Sequence, residues 1–524
     1  MNGSLTGTAT LLRLGLRRDR LKLPIWTIAI ALFVPGFFNS LANAMGQLGD
    51  IGDMQGIAAM LDVFAGPMYG DMFGDATLLE WFLLYNQEFV LAAAVMNILL
   101  VIRHTRGEEQ RGRAMLVHGS VIGRRAPLAA ALILALITNA VLAVLLTLGA
   151  VSIGFPGGSA LLFGTGIAAS GLVFAVVTGV TAQLAEGAGT AGGLAGLVLG
   201  VAWVMRSTFA VGPEDNVGLW LTPMAWPNLT RVLYDERWSP VALSLVVAAL
   251  LAGVGFALSV RRDVGAGLIP HRRGRTAASA WLAGPFALAL RLQRGSVIGW
   301  ASGMLALGLA WGSLTTSVSA LDPEQAPTLF EGDDLLSGYL GILGATQSLL
   351  IAVFVIMATS RLKSEETAGR LAVVLGTATG RARRIWSWMA ATAVGTVVIV
   401  ACGGIGLGAA SAAAVGDASL FPLMVSALVS RVPELLALAG IGALAYGFSP
   451  RLMWIPWALF AYGSIMRFFG VALGIPDPVQ NLSLFQWIPR MPAFAFSAWP
   501  LAVLTAMAVL AVALGVFAFR RRDV

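Results

Sequence analysis

Residues 127–152 read PLAAALILALITNAVLAVLLTLGAVS, a run without a single charged side chain. An α-helix rises about 1.5 Å per residue, so a run of this length crosses the ~30 Å hydrocarbon layer of a bilayer with a turn to spare. Apolar residues do not alternate with polar ones in it, and Ala, Leu and Val dominate. The run is therefore a helix satisfying its own backbone in lipid, not a barrel strand. Residues 240–260 repeat the pattern. The rest of the chain has the same character: of 524 residues 57% are hydrophobic and only 12% charged, with mean hydropathy +0.81. Soluble domains carry about a quarter charged residues, and a water-exposed surface for so apolar a chain cannot be assembled.

Twelve spans follow from this reading, at about 24–44, 84–102, 126–152, 159–183, 190–207 and 240–260, then 296–318, 345–360, 385–412, 421–447, 453–471 and 498–519. The segments around 103–125, 261–294 and 361–384, with both termini, hold 27 of the 34 Lys and Arg residues. Segments 46–80 and 319–344 hold none, yet carry Asp50, Asp53, Asp62, Asp71, Asp75, Asp322, Glu324, Glu331, Asp333 and Asp334. The positive-inside rule places both termini in the cytoplasm of a cell with a plasma or inner membrane. It also accounts for the net charge of +7 without nucleic acid, because the basic residues lie in short clusters between apolar runs. Ala42-Asn43-Ala44 resembles a leader cleavage site, but the preceding run is too long for a leader, and it is read as an uncleaved first span.

The chain also repeats itself. Glu108-Glu109-Gln-Arg-Gly112-Arg113, Gly119 and Gly123-Arg124 recur at an offset of 257 as Glu365-Glu366-Thr-Ala-Gly369-Arg370, Gly376 and Gly380-Arg381. Met205-Arg206 recurs as Met466-Arg467, and Arg261-Arg262-Asp263-Val264 as Arg521-Arg522-Asp523-Val524. The fold class is thus all-α, a bundle of two tandem six-span halves, 1–264 and 286–524, joined by a polar linker at 265–285. Each half opens on a basic segment, with Arg13, Arg17 and Arg20 on one helical face and Arg291 and Arg294 closing the second. Both are expected to lie flat in the inner interface, or to be simple orienting flanks.

Enzymatic signals are poor. His104, His118 and His271 are scattered, Cys402 is the single cysteine, and no metal-ligand spacing occurs. Neither Lys22 nor Lys363 follows the glycine of a phosphate-binding GxxxxGK[ST] loop, so the chain has no nucleotide cradle of that kind and no cofactor is expected on it. The duplicated Glu-Glu loop is the strongest functional signal. Residues 108–115 and 365–372 favour short helices with acids in the first turn and Arg113 or Arg370 further on. A short helix lying across the inner face is suited to docking a partner. Within the tenth span, Arg431 and Glu434 stand three apart around Pro433, close enough on one helical face to pair, either toward a translocation path or as a structural lock. Arg206 and Arg467 sit near the outer ends of their spans as anchors. The segments before spans six and twelve carry Trp220, Pro223, Trp226, Pro227, Tyr234 and Trp238, and Pro476, Pro478, Trp487, Pro489, Pro492 and Trp499. Either re-entrant segments or an interfacial aromatic belt would use such residues.

Two six-span units, a basic helix before each, the E-E-x-x-G-R loop between spans two and three, the R-R-D-V ending and a sizeable insertion before the sixth span resemble ABC-2 (type V) exporter permeases. Among these the chain looks like the fused permeases of polyketide antibiotic export, such as that of tetronasin. The resemblance implies two copies of a soluble ATPase, carrying the ATP and Mg, docked on coupling helices near Glu108, Glu109, Gly112 and Arg113 and near Glu365, Glu366, Gly369 and Arg370. It implies export of hydrophobic or amphiphilic, drug-like molecules, with multidrug resistance as the consequence. A proton-coupled secondary multidrug transporter is the alternative; it needs carboxylates inside the bundle, for which Glu434 and Glu88 are the candidates.

Overall fold

A computed structural model of the chain describes residues 4–47, 78–83, 86–112, 122–210, 216–263, 265–269, 279–282, 284–319, 335–470 and 475–522. The acidic segments at Asp50–Asp75 and Asp322–Asp334, and Arg113 of the first Glu-Glu loop, lie outside the described residues. Among the described residues the regular structure is helical throughout, and eleven helices are long and apolar enough to cross a membrane. The helices fall into two compact units, one ending at Gly274 and the other beginning its main body at Arg275.

In the first unit a short helix α1 (Thr8–Arg18) precedes α2 (Lys22–Gln47). Then come α3 (Asn86–His104), a five-residue α4 (Arg106–Gln110), α5 (Ala126–Ser152), α6 (Gly157–Leu184), α7 (Ala188–Ala210) and α8 (Ser239–Val260). The fourth span, α6, is the hub, with α3, α5, α7 and α8 all packed on it. Its Gly and Ala content makes this possible: Gly164 comes so close to Ala143 and Thr147 of α5 that a methyl group there would overlap them. Phe82, Phe89, Phe155 and Phe163 fill the far end with edge-on ring contacts, Phe82 to Phe155 at 6.2 Å and Phe89 to Phe163 at 5.8 Å.

The second unit comprises α9 (Pro285–Ser313), α10 (Leu335–Thr367), α11 (Arg370–Leu375), α12 (Arg381–Val415), α13 (Leu420–Val429), α14 (Val432–Phe448), α15 (Ile455–Phe469) and α16 (Ala498–Arg521). Two seams of small residues dominate it. Gly308 and Gly312 of α9 face Gly403, Gly406 and Leu407 of α12, and Gly440 and Gly447 of α14 face Ala508 and Gly515 of α16. Proline in the first turn opens several spans, as at Pro127, Pro240, Pro285, Pro433 and Pro456, where the missing N–H has no helical partner to lose.

Among the described residues eleven of the twelve expected spans are helices of membrane length. The eleventh expected span, at 453–471, ends outside the described residues; there a 3-10 turn over Pro450–Trp454 leads into the 15-residue α15, about 22 Å long by its rise, whose first turn Pro456 fixes. Two sequence expectations are revised. The second basic segment is not a separate flat helix. Arg291 and Arg294 lie on α9, which runs unbroken into the span, because no proline or capping residue interrupts it; in the first unit Asp19 ends α1 before α2 begins. Glu365 and Glu366 are not in the first turn of a short helix but in the last turn of α10, whose Ser-Arg-Leu-Lys-Ser-Glu-Glu sequence carries the helix on to Thr367. The tenth span breaks at Ser430-Arg431, just before Pro433, into α13 and α14.

Candidate functional site

In the first unit Thr105 interrupts the helix after α3, its hydroxyl donating back to the Val101 carbonyl at 2.6 Å, and α4 presents Glu108 and Glu109 in its first turn. Gly112 then turns the chain with φ +71°. In the second unit Gly369 turns it with φ +72° after Glu366, the same left-handed conformation at the matching position. Carboxylates at the C-terminal end of α10 oppose the helix dipole, so cations must be supplied from elsewhere.

They come from the Arg-Arg-Asp-Val motif. The Arg262 guanidinium forks onto the Glu109 carboxylate, with Nη1 at 3.0 Å from Oε2 and Nη2 on Oε1, and its Nε donates to Gln183 of α6 at 2.7 Å. Arg522 pairs with Glu366 in the second unit and donates through Nη1 to the Tyr446 carbonyl at 2.8 Å. Its guanidinium also lies 5.1 Å over the Tyr446 ring and 5.0 Å over that of Phe519. Both ion pairs are partly buried, with exposures of 11 and 13% in the first and 16 and 21% in the second, so solvent screens them less than a surface pair. The third repeated element joins them. Arg381 donates to the carbonyls of Arg522 at 2.6 Å and Arg520 at 3.3 Å, and Arg124 stands 3.7 Å from Asp263. Motifs separated by more than 150 residues thus meet once in each unit.

Around this shared clamp the units differ. Arg106, fully buried, donates to Glu109 at 2.8 Å and to the Ala266 and Ala182 carbonyls. Glu108 pairs with Arg18 of α1 and, at 3.2 Å, with Arg111. Asp19, at the end of α1, holds Arg103 at 2.7 Å and His104 at 2.6 Å. The first loop is therefore latched to the helix that opens its half. A cavity of about 40 Å³, on the scale of one water, sits between Glu109, Arg262, Gln183, Arg124 and Thr105. In the second unit Glu365 instead grips Arg370 across Gly369, at 3.0 and 2.9 Å. The Glu365 hydrogen bond holds the already strongly basic Arg370 guanidinium still more firmly protonated.

Arg431 and Glu434 pair at 3.6 Å and are buried, 3 and 0% exposed. Glu434 also accepts from the Ser348 hydroxyl, and Arg431 donates to the Pro489 carbonyl at 3.2 Å. The pair joins α10 and α14 to the segment before the last span, inside the second unit. In the first unit Ser170, at an offset of 261, likewise donates to a carbonyl of the segment before span six, that of Pro223. Both segments fold into their units: Trp226 donates to Trp220 O at 2.9 Å and Trp487 to Asn481 O at 2.8 Å, each six residues back, with Trp226 and Ile488 buried. Arg206 and Arg467 are half-buried, each within electrostatic reach of a carboxylate of its own unit, Glu88 and Glu434. Among the described residues no group of His, Cys, Asp and Glu could hold a metal ion.

Sequence reading singled out both members of each repeated motif but gave Arg262 and Arg522 no role. The available signal was the recurrence of the two motifs together in each half. Nothing in the sequence pointed to Arg106, Gln183 or Tyr446 as their partners.

Among the described residues, eleven helices of membrane length define a multi-pass helical membrane protein. The family model described as the C-terminal domain of the multidrug efflux system permease Rv1217c matches residues 282–520. Across 99% of its length the chain is 33% identical to the multidrug efflux system permease protein Rv1217c of Mycobacterium tuberculosis, covering 95% of that relative. The chain belongs to this family of multidrug efflux permeases, in keeping with the exporter resemblance carried by its motifs.

Proposed function

We propose that the chain is the membrane-spanning subunit of an ATP-driven exporter, and that two copies of a soluble ATPase dock on the loops near Glu108–Arg113 and Glu365–Arg370. The observation that carries the reading is the duplicated clamp: each Glu-Glu loop is fixed by partly buried ion pairs rather than left as a solvated turn. A loop that must receive a push from a partner needs such a fixed position, whereas one that only sets orientation needs charge alone. ATP and Mg belong to the partner in this reading, since neither lysine of the chain lies in a phosphate-binding loop. The arginine-rich ends of both units face the cytoplasm of a bacterial cell membrane, with both termini on that side, and the acidic segments face outward. The cargo is drug-like, as the relative's name as a multidrug efflux permease suggests, and hydrophobic or amphiphilic, since few charges enter the spans to bind anything more polar.

The test is purification of the tagged chain from its native cells in detergent, with an ATPase assay of what accompanies it. A nucleotide-hydrolysing subunit is expected to co-purify and to be lost when Glu108, Glu109, Glu365 and Glu366 are all replaced by alanine. A chain that purifies alone and transports under a proton gradient would overturn the reading and turn attention to Glu434 as a proton carrier.

A further inference from the structure

The two loops between spans two and three are joined by the backbone to those spans alone. Span six packs chiefly on span four in both units, α8 on α6 and α16 on α14. A push on either loop therefore has no covalent route into span six, and its packing offers an indirect one. The clamp supplies a direct one: Glu109 holds Arg262, two residues beyond the end of α8, and Glu366 holds Arg522, one residue beyond the end of α16.

We propose that Arg262 and Arg522 are positioning residues for transport, carrying displacement of the docked loops into the sixth and twelfth spans. The proposal deepens the ATPase-docking reading and rests on it. Four observations support a mechanical link. The pairing occurs twice, in units whose surrounding contacts differ. In the first unit, whose two nitrogens contact both carboxylate oxygens, the fork constrains direction as well as distance. Each guanidinium is held on its far side by a residue of the fourth span or its equivalent, Gln183 or the Tyr446 carbonyl, so neither swings freely. Finally, Arg381 grips the terminal carbonyls of α16 directly, so the start of the ninth span shares the same joint.

The arrangement also predicts an inequality. The first loop is latched additionally to α1 through Arg18 and Glu108, and to its own neighbourhood through the buried Arg106. In the second loop Glu365 is engaged by the exposed Arg370 of the same loop. Arg522 therefore carries a larger share of the second joint than Arg262 carries of the first.

The experiment uses the full chain with its co-purified ATPase in proteoliposomes, reading transport of a hydrophobic fluorescent dye per ATP hydrolysed, at matched protein levels. Arg522→Glu is expected to lower that ratio by tenfold or more, and Arg262→Glu by a smaller factor. The paired exchanges, Glu366→Arg with Arg522→Glu and Glu109→Arg with Arg262→Glu, are expected to recover it to within about threefold, because they restore opposite charges at the joint. Arg522→Lys keeps the charge without the planar guanidinium and should fall in between. Equal ratios for wild type and the single variants would overturn the proposal while leaving ATPase docking intact. So would exchanges that still bring the ATPase with them yet do no better than the singles. A wild-type chain that brings no ATPase with it would overturn the docking reading, and the proposal with it.

Discussion

Replacing Gly406 by alanine should open the seam between α9 and α12. A Cβ at that position would stand 2.3 Å from the Leu305 carbonyl oxygen and 3.1 Å from its carbon. A carbon and an oxygen in ordinary contact are roughly 3.3 Å apart, so the two helices must part locally by about 1 Å. Overpacking of this kind typically costs about 1–3 kcal/mol. Alanine returns about 0.8–1 kcal/mol of helix propensity against glycine. The net change is thus between neutral and a loss of about 2 kcal/mol. The informative comparison is Gly303→Ala on α9, where a Cβ would meet nothing within 4 Å and only the propensity gain applies. The two variants should differ by about 1–3 kcal/mol, a few degrees in apparent melting temperature. The assay is the thermal midpoint of each purified protein in one detergent at one scan rate, followed by intrinsic fluorescence and by the monodisperse fraction on size exclusion. If Gly406→Ala melts at or above Gly303→Ala, the helices do not approach as closely as described, and the small-residue account of the seam is wrong.

Two further outcomes follow from the same geometry. Arg431→Leu leaves Glu434 buried with Ser348 as its partner, and breaking a buried pair this way costs about 3–5 kcal/mol. The protein should therefore show a lower melting temperature and lower membrane yield, and a variant with wild-type yield and melting would mean the pair holds nothing together. Gly369→Ala places a side chain on a backbone with φ +72°, at about 1–2 kcal/mol, so it should reduce co-purification of the ATPase, whereas Gly380→Ala, with an extended backbone, should not. Equal co-purification by the two would show that the turn at Gly369 is not needed to present Glu365 and Glu366.

Sequence reading was strongest where a segment's own residues decide the outcome. Residues 126–152 form a helix in lipid because nothing else satisfies so apolar a backbone, and α5 has those bounds. Pro433 breaks the tenth span because it lacks an N–H and crowds the preceding turn. The match of Gly112 with Gly369 at an offset of 257 was legible, and the structure gives both the same positive φ, although the sequence assigned neither a turn. Reading was weaker where neighbours compete. The acids of the second loop suggested a helix start on dipole grounds, yet α10 continues through them, since Arg522 and Arg370 supply the compensating charge. The second basic segment suggested a separate surface helix, but without a residue like Asp19 to end it the helix ran on into the span. In the expected eleventh span, at 453–471, the 3-10 turn over Pro450–Trp454 takes Met453 and Trp454, which hydropathy alone assigns to a continuous helix, and α15 begins at Ile455.

By itself the sequence determined that this protein is a polytopic helical membrane protein whose motifs recur: hydropathy decides which solvent each segment tolerates, and the motifs repeat in the same order at near-constant offsets. Only the tertiary structure decided that Glu109 meets Arg262 and Glu366 meets Arg522, and that Arg431 and Glu434 close on Ser348 and Pro489 inside their unit. The reason is physical. Local backbone preference and burial are set within a few residues, whereas an ion pair between groups 153 or 156 positions apart exists only after the intervening spans have packed and brought its two ends together.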